Sequence, residues 1–265
     1  MAPEVERRFV HASDVVFHAA EVGPPTAPAV LLLHQRPRSW DEFAGVLPLV
    51  AARCRAVALD LPGFGESSPL KGPVSIEAHA VAVEAFLGAA GIGRAAVVGH
   101  HFGGAVALEL AASHPQRVGR LVLSSTPFCD RSFRAERADR PSLDFVEEKD
   151  DGSHLAELWQ RRRPYYPPGR HDLLTRFVRD AVRAGAHVEA AHRAVSSYEM
   201  EARIGLVQAP TLLIRAKNDP FARPWLEPLA ERLPGSEVVE LDGGIALPEE
   251  RPAEYAEAII DFLGR

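Results

Sequence analysis

The chain has 265 residues, of which 46% are hydrophobic and 25% charged, a composition typical of a folded protein with a substantial core. A formal net charge of −6 argues against nucleic acid and acidic membrane surfaces as partners. Segment 1–8 is charged and no apolar run follows it, so we expect no signal peptide. No run approaches the ~20 apolar residues that a membrane span requires. These features predict a cytoplasmic protein that does not bind membranes.

Short runs of β-branched residues and leucine alternate with longer helical patterns, which favours a parallel sheet with crossover helices. The first two predicted strands form a hairpin. The predicted strands are 8–11, 15–20, 29–33, 56–59, 95–98, 118–123, 211–214 and 237–241. Helices are predicted at 75–90, 102–113 and about 252–263, with Ser75 as an N-cap.

Residues 128–206 interrupt this alternation with helical stretches, prolines and charges but no convincing strand. We predict that they form a helical cap, or lid, inserted into a core domain of residues 1–127 and 207–265. The cap would cover the carboxyl edge of the sheet, where ligands bind in open α/β folds. The run 161–163 is all arginine, but acidic residues lie nearby in sequence, so a solvated helix face is expected there rather than a phosphate site.

A sharp turn is predicted between the strand at 95–98 and the helix at 102–113. The sequence there is Gly99-His100-His101-Phe102-Gly103, which has the glycine spacing of a Gly-x-Ser-x-Gly nucleophile elbow. His101 takes the place of the serine. An imidazole at this position can move protons, but it provides no hydroxyl that could form an acyl-enzyme.

The chain resembles the α/β-hydrolase superfamily of esterases, epoxide hydrolases and dehalogenases over nearly its whole length outside the cap. The resemblance implies a mostly parallel eight-stranded sheet with flanking helices and a helical cap, and it makes Asp219 the triad acid. Four landmarks besides the elbow carry the resemblance: His34-Gln35-Arg36-Pro37, the loop 60–67 (DLPGFGES), Asp219 after a buried strand, and the loop 242–252.

Three positions depart from the family pattern. His101 replaces the nucleophile, Ile245 stands where the catalytic histidine is expected, and Gln35 replaces the glycine of the oxyanion loop. A Ser-His-Asp mechanism needs a nucleophile, a base and an orienting acid, and only the acid, Asp219, remains. The hydrolytic mechanism of the family is therefore not transferred to this chain.

We hypothesise that His101 reaches into the space left by the missing histidine and hydrogen-bonds Asp219. The carboxylate would fix the tautomer of the ring and make it a stronger base. The backbone N–H groups of Phe102 and Gln35 would stabilise a developing oxyanion. Such a site suits cyclisation, elimination, decarboxylation or isomerisation of a small apolar or aromatic metabolite. The resemblance suggests secondary metabolism as the setting.

Two alternatives stay open. His101 could support hydrolysis of activated esters, lactones or epoxides, since histidine can also act as a covalent catalyst. The chain could also be a non-catalytic ligand-binding protein that kept the pocket. We expect a monomer or homodimer that acts on a small molecule, with no organic cofactor and no metal. His34, His101 and Asp219 could form a metal site on paper, but their spacing is not diagnostic.

The remaining candidates concern the pocket walls. His34 is expected to hold the oxyanion loop, and Arg36 either pairs with a substrate carboxylate or phenolate or is an exposed loop charge. Possible cap contacts, for which packing inside the cap is the simpler expectation, are Trp159, Tyr165 and Tyr166. His18 and His79 are expected at the surface or the sheet edge.

Overall fold

The computed structural model describes residues 4–138 and 140–264, and one eight-stranded sheet organises this part of the chain. The strand order is β1-β2-β4-β3-β5-β6-β7-β8. The strands are β1 Glu6–Ala12, β2 Val15–Val22, β3 Ala29–Leu33, β4 Arg55–Leu59, β5 Ala95–His100, β6 Val118–Ser124, β7 Thr211–Ala216 and β8 Glu237–Leu241.

The sheet is antiparallel at one edge and parallel elsewhere, which confirms the predicted fold class. β1 and β2 form the opening hairpin, β2 pairs antiparallel with β4, and all later pairs are parallel. Strand β4 is buried along its whole length because helices cover both faces of the sheet, whereas the edge strand β8 alternates between partly buried and exposed positions.

Helices flank the sheet on both faces, and α3 after the elbow is the most deeply buried of those that pack on it, since Phe102–Ala112 are all buried. Helix α2 begins as predicted, because Ser75 Oγ accepts the N–H of Ala78 at 3.0 Å. The helices are α1 Leu47–Val50, α2 Ile76–Ala89, α3 Phe102–Ser113, α4 Arg131–Arg137, α5 Ser153–Arg162, α6 His171–Ala184, α7 His187–Ser197, α8 Met200–Arg203, α9 Arg223–Glu231, α10 Leu247–Glu250 and α11 Pro252–Leu263.

The segment between β6 and β7 carries helices α4 to α8, and we call residues 128–206 the cap segment. Buried charges tie its helix α6 to the core. Arg38, which is fully buried, pairs with Asp180 of α6 and with Glu249 of α10, the latter at 2.6 Å. Burial alone would lower the pKa of Arg38, but Glu249 and Asp180 raise it well above its ordinary value. Separating such a buried pair typically costs about 3–5 kcal/mol.

Two histidines expected at the surface are instead buried, and both support loops near the carboxyl edge of the sheet. His18 Nδ1 lies 2.8 Å from Asp60 Oδ2, and the same carboxylate accepts the N–H of Glu66 at 2.8 Å. His79 Nε2 lies 3.2 Å from the carbonyl of Pro62. The surface prediction was wrong because both rings find polar partners that are distant in sequence. None of the helices in the described ranges has the length and apolar character to cross a membrane.

The glycines on either side of the elbow are required by close backbone contact. A Cβ on Gly99 would lie 2.2 Å from the carbonyl oxygen of Gly103, and a Cβ on Gly103 would lie 2.1 Å from that of Leu33. Any side chain at these positions would push α3 away from β5 or β3. The turn therefore depends on both glycines, as the elbow motif predicted.

We expect Gly99→Ala to lower the free energy of unfolding by about 2–3 kcal/mol, or to prevent folding, because the methyl group must displace backbone. Gly93→Ala is the matched control, since a Cβ there meets nothing within 4 Å. It should stay within about 0.5 kcal/mol of the wild type in urea unfolding. Equal stability of the two variants would contradict the packing argument.

Candidate active site

His101 is held in a strained conformation at the carboxyl end of β5. Its backbone has φ 48° and ψ −109°, which a non-glycine residue adopts at a cost of about 1–3 kcal/mol. The N–H of His101 donates to the carbonyl of Ser124 at 3.0 Å, and its own carbonyl accepts the N–H of Gly104 at 2.9 Å. β6 and the first turn of α3 thus fix the direction of the imidazole.

The ring of His101 contacts Asp219. Nε2 lies 2.6 Å from Asp219 Oδ2, and the carboxylate is fully buried. The other carboxylate oxygen accepts the N–H groups of Phe221 and Ala222 at 2.9 and 3.3 Å. Burial favours a higher pKa for Asp219, but His101 and the Phe221 N–H hold it below its usual range. The ionised carboxylate accepts, so Nε2 carries the proton of the neutral ring and Nδ1 keeps its lone pair.

Ile245, which stands where the catalytic histidine is expected, is fixed in place through its backbone carbonyl. The carbonyl of Ile245 accepts from Gln35 Nε2 and from His100 Nε2, each at 3.0 Å. His100 Nδ1 lies 2.9 Å from Ser124 Oγ, and burial lowers the pKa of His100 to about 3, so this ring stays neutral. The rings of His100 and His101 meet edge-on, with centroids 4.7 Å apart. His100 therefore supports the active-site ring directly.

Of the two N–H groups predicted to stabilise an oxyanion, those of Phe102 and Gln35, the prediction for Gln35 was wrong. The N–H of Gln35 donates to Glu42 Oε2 at 2.9 Å, and its side-chain amide donates to Oε1 of the same carboxyl group at 2.7 Å. This N–H is therefore not available to a substrate. The N–H of Phe102 begins α3 and has no carbonyl partner within the helix, so it remains available. Glu42 is a site residue that its sequence position did not reveal.

His34 lies beneath the loop and does not reach the reacting space. Its Nε2 accepts the N–H of Leu61 at 2.9 Å, so Nδ1 carries the proton and donates to the carbonyl of Gln35 at 2.7 Å. Burial lowers the pKa of this ring, which keeps it neutral. His34 thus joins two loops. Residues 4–138 and 140–264 contain no cluster of three histidine, cysteine or acidic side chains that could hold a metal ion.

A cavity of about 410 Å³ lies between the elbow and the cap segment. His101, Phe102 and Ile245 line it on the core side. Phe133 of α4 and Trp225 of α9 form an aromatic wall, with their ring centroids 5.2 Å apart. This volume suits a small organic ligand.

The aromatic residues expected as cap contacts lie elsewhere. Trp159 stacks on His171, Tyr165 packs against Phe221, and Tyr166 is buried against Phe177. None of the three is among the residues that line this cavity. Cys129 does line it, but burial raises the pKa of this thiol to about 12, so it is not a thiolate at neutral pH.

Ion pairs cross the cavity wall between the core loop and the cap segment. Arg36 Nη1 lies 3.4 Å from Asp144 and its Nη2 lies 2.8 Å from His192 Nδ1, so Arg36 is neither an exposed loop charge nor free. Burial lowers the pKa of Arg36 to about 10 despite the carboxylate of Asp144. Arg162, expected on a solvated helix face, is buried and pairs with the same carboxylate. The prediction for Arg162 was wrong because its partner, Asp144, lies outside the helix α5 that carries Arg162.

Comparison with known proteins places this site in a family. Residues 28–252 match the profile of the alpha/beta hydrolase fold family. The pimeloyl-[acyl-carrier protein] methyl ester esterase of Neisseria meningitidis is 28% identical over 259 residues, which are 91% of this chain and 78% of that protein. The enol-lactonase structure from Burkholderia xenovorans superposes with a TM-score of 0.82 at 20% identity, over 97% of this chain and 100% of the other.

A third relative matches over a shorter region. An uncharacterized protein of Mycobacterium tuberculosis is 35% identical over 123 residues, or 46% of this chain. The match spans only 35% of the mycobacterial protein. The relatives thus establish the fold and a general kinship with hydrolases, whereas substrate and reaction have to be argued from the site.

We expect the buried Glu42 to make the protein less stable as the pH rises. Burial raises the pKa of Glu42 to about 8, whereas a glutamate in the unfolded chain titrates near about 4.3. Between these values the folded protein keeps a proton that the unfolded chain has lost, so the free energy of unfolding falls with increasing pH. Glu42→Gln should remove this dependence. The difference in the free energy of unfolding between the variant and the wild type should therefore shift by about 1–2 kcal/mol in favour of the variant as the pH rises from 5.5 to 7.5.

Urea unfolding at these two pH values measures the effect. Glu84→Gln, which changes a surface glutamate paired with Arg117, is the control and should follow the wild-type curve. Parallel pH curves for Glu42→Gln and the wild type would contradict a buried, protonated Glu42.

Proposed function

Because the chain belongs to the alpha/beta hydrolase fold family, we propose that it hydrolyses activated esters or lactones, with His101 as the general base. Asp219 is the positioning residue for that base. The single observation that carries the proposal is the 2.6 Å hydrogen bond between His101 Nε2 and Asp219 Oδ2 at the wall of the cavity.

The tautomer of His101 determines what the ring can do. Asp219 accepts a hydrogen bond from the N–H at Nε2 of His101, so the basic nitrogen is Nδ1. No described residue hydrogen-bonds Nδ1, and the side chain retains 13% of its exposure. A water molecule can therefore be activated at Nδ1. Because Nδ1 is adjacent to the ring carbon that carries Cβ, direct attack on an acyl group is crowded, and this favours base catalysis over an acyl-imidazole.

The reaction balances without a covalent intermediate. Nδ1 removes a proton from water as its oxygen bonds to the acyl carbon, and Asp219 stabilises the resulting imidazolium. The carbon–oxygen bond to the leaving group then breaks, and the leaving oxygen takes the proton from Nδ1. The products are an acid and an alcohol, phenol or enol. His101 stands where a nucleophile that forms an acyl-enzyme is expected, and we therefore limit the substrate class to esters and lactones activated enough for direct attack by water.

Two backbone donors remain for the developing oxyanion. One is the N–H of Phe102, which also carries the positive end of the α3 dipole. The other is the N–H of Arg36, which has no acceptor within residues 4–138 and 140–264 and belongs to a residue that lines the cavity. Arg36 takes the place of Gln35, whose N–H is bound to Glu42.

The named relatives favour hydrolysis over the proton-transfer chemistry that the sequence alone favoured. The Neisseria protein, which aligns with 91% of this chain, is an ester hydrolase by name. Proton transfer without hydrolysis is the second candidate, and the observation that favours it is the imidazole in the place of a nucleophile. Both candidates use the same base, so they differ in whether water or a substrate C–H or O–H gives up the proton.

We expect His101→Ala to lower kcat/KM for p-nitrophenyl butyrate by about 10²–10⁴-fold, since a general base typically contributes this factor. Asp219→Asn should lower kcat more than it changes KM, because the carboxylate acts on the ring and not on the substrate. The control is His114→Ala, because the partly buried ring of His114 is hydrogen-bonded to Ser113 and lies outside the cavity. The hydrolysis rates of all three variants are measured by the absorbance of the released nitrophenol.

A further kinetic measurement separates a base from a nucleophile. General-base hydrolysis should give no pre-steady-state burst of nitrophenol, slower turnover in D₂O and no acyl adduct in the mass spectrum. A serine-directed fluorophosphonate should leave the protein unlabelled. Full activity of His101→Ala would overturn the proposal. Absence of ester and lactone turnover, with His101-dependent deuterium incorporation into an enolisable ketone, would favour the second candidate.

A further inference from the structure

The charges of the described residues in the cavity wall do not balance. Four arginines and two carboxylates among residues 4–138 and 140–264 line it, an excess of two positive charges: Arg36, Arg137, Arg140, Arg162, Glu136 and Asp144. Asp144 pairs with both Arg36 and Arg162, and Glu136 pairs with Arg140 at 3.1 Å. Three of the four guanidinium groups are therefore partnered from within the wall.

Arg137 at the end of α4 is the exception. Its guanidinium makes no ion pair or hydrogen bond with any residue in 4–138 or 140–264, and its Nε is sealed from solvent without a partner. Its central carbon lies 4.4 Å from the ring centroid of Phe133, and burial lowers its pKa. A partly desolvated cation that has an aromatic ring but no charged partner among the described residues is costly unless a ligand supplies the opposite charge.

The surroundings of Arg137 indicate the rest of the ligand. Phe133, under the guanidinium, meets Trp225 edge-on, and both rings line the same cavity as His101. An apolar chain can pack on these two rings while its terminal anion meets Arg137. A planar guanidinium matches a carboxylate through two parallel hydrogen bonds, and the nearby Glu136 disfavours a dianion such as a phosphate monoester.

We propose that Arg137 forms a carboxylate subsite, so that the substrate carries a free carboxylate at the end remote from the ester or lactone carbonyl. This inference deepens the proposed function and rests on it, because Arg137 lines the same cavity as His101. The substrate class becomes short-chain monoesters of dicarboxylic acids and lactones that bear a carboxylate, with Arg137 as the residue that selects them.

Calorimetric binding of inert ligands to the His101→Ala variant tests the subsite without turnover. Hexanoate should bind about tenfold or more tightly than hexanamide, which has the same shape but no charge. Adding Arg137→Gln should reduce this preference to less than about twofold, whereas Arg137→Lys should keep part of it because the positive charge remains. Arg131→Gln is the matched control: this arginine of α4 is exposed and does not line the cavity, so the preference should survive.

Three results would overturn the subsite: equal affinity for hexanoate and hexanamide, a preference that survives Arg137→Gln, or tighter binding of hexyl phosphate than of hexanoate. Thermal unfolding checks that each variant is folded. Binding is measured without His101, so failure of the subsite and failure of the proposed hydrolysis are distinguishable. In the intact enzyme, Arg137→Gln should raise KM for p-nitrophenyl hemiglutarate about tenfold and leave KM for p-nitrophenyl butyrate unchanged.

Discussion

The hydrogen bond between His101 and Asp219 is the interaction on which the rest of the site depends. A fully buried carboxylate needs partners for both oxygens, and Phe221 and Ala222 supply N–H groups to only one of them. His101 supplies the other, and the strained turn at the elbow sends its ring in that direction. The substitution of histidine for a nucleophile is therefore compatible with a well-formed site, because the new side chain satisfies the acid that the family fold places there.

The three departures from the family pattern are structurally linked. Ile245 no longer presents an imidazole, but its carbonyl is held by Gln35 and by His100. Gln35 in turn needs an acceptor for its backbone and amide, and Glu42 supplies both oxygens. A glycine at position 35 could supply no side-chain amide to these contacts. Gln35 and Ile245 thus belong to one polar network beneath the cavity, and His100 of that network meets the ring of His101 edge-on.

The fold and the His101–Asp219 contact were accessible from the sequence, whereas the walls of the site were not. Buried strands such as Ala29–Leu33 appear as unbroken aliphatic runs, and the elbow glycines fix the turn, so local patterns suffice for both. Burial of Arg162 and capture of the Gln35 N–H by Glu42 depend on partners brought together by tertiary packing. Composition and periodicity cannot show such pairings, because a charged residue is expected at the surface until its partner is known.

The buried ion pairs of Arg38 also affect how small molecules enter and leave the cavity. Asp180 in α6 and Glu249 in α10 fasten that side of the cap segment to the core, and opening there would strand uncompensated charges away from water. We therefore expect this side of the cap segment, at α6, to stay attached to the core. The lining residues Glu136 and Arg140 near α4 reach solvent, so ligands can enter and leave the cavity there. Entry and release of ligands at that rim would leave both ion pairs of Arg38 intact.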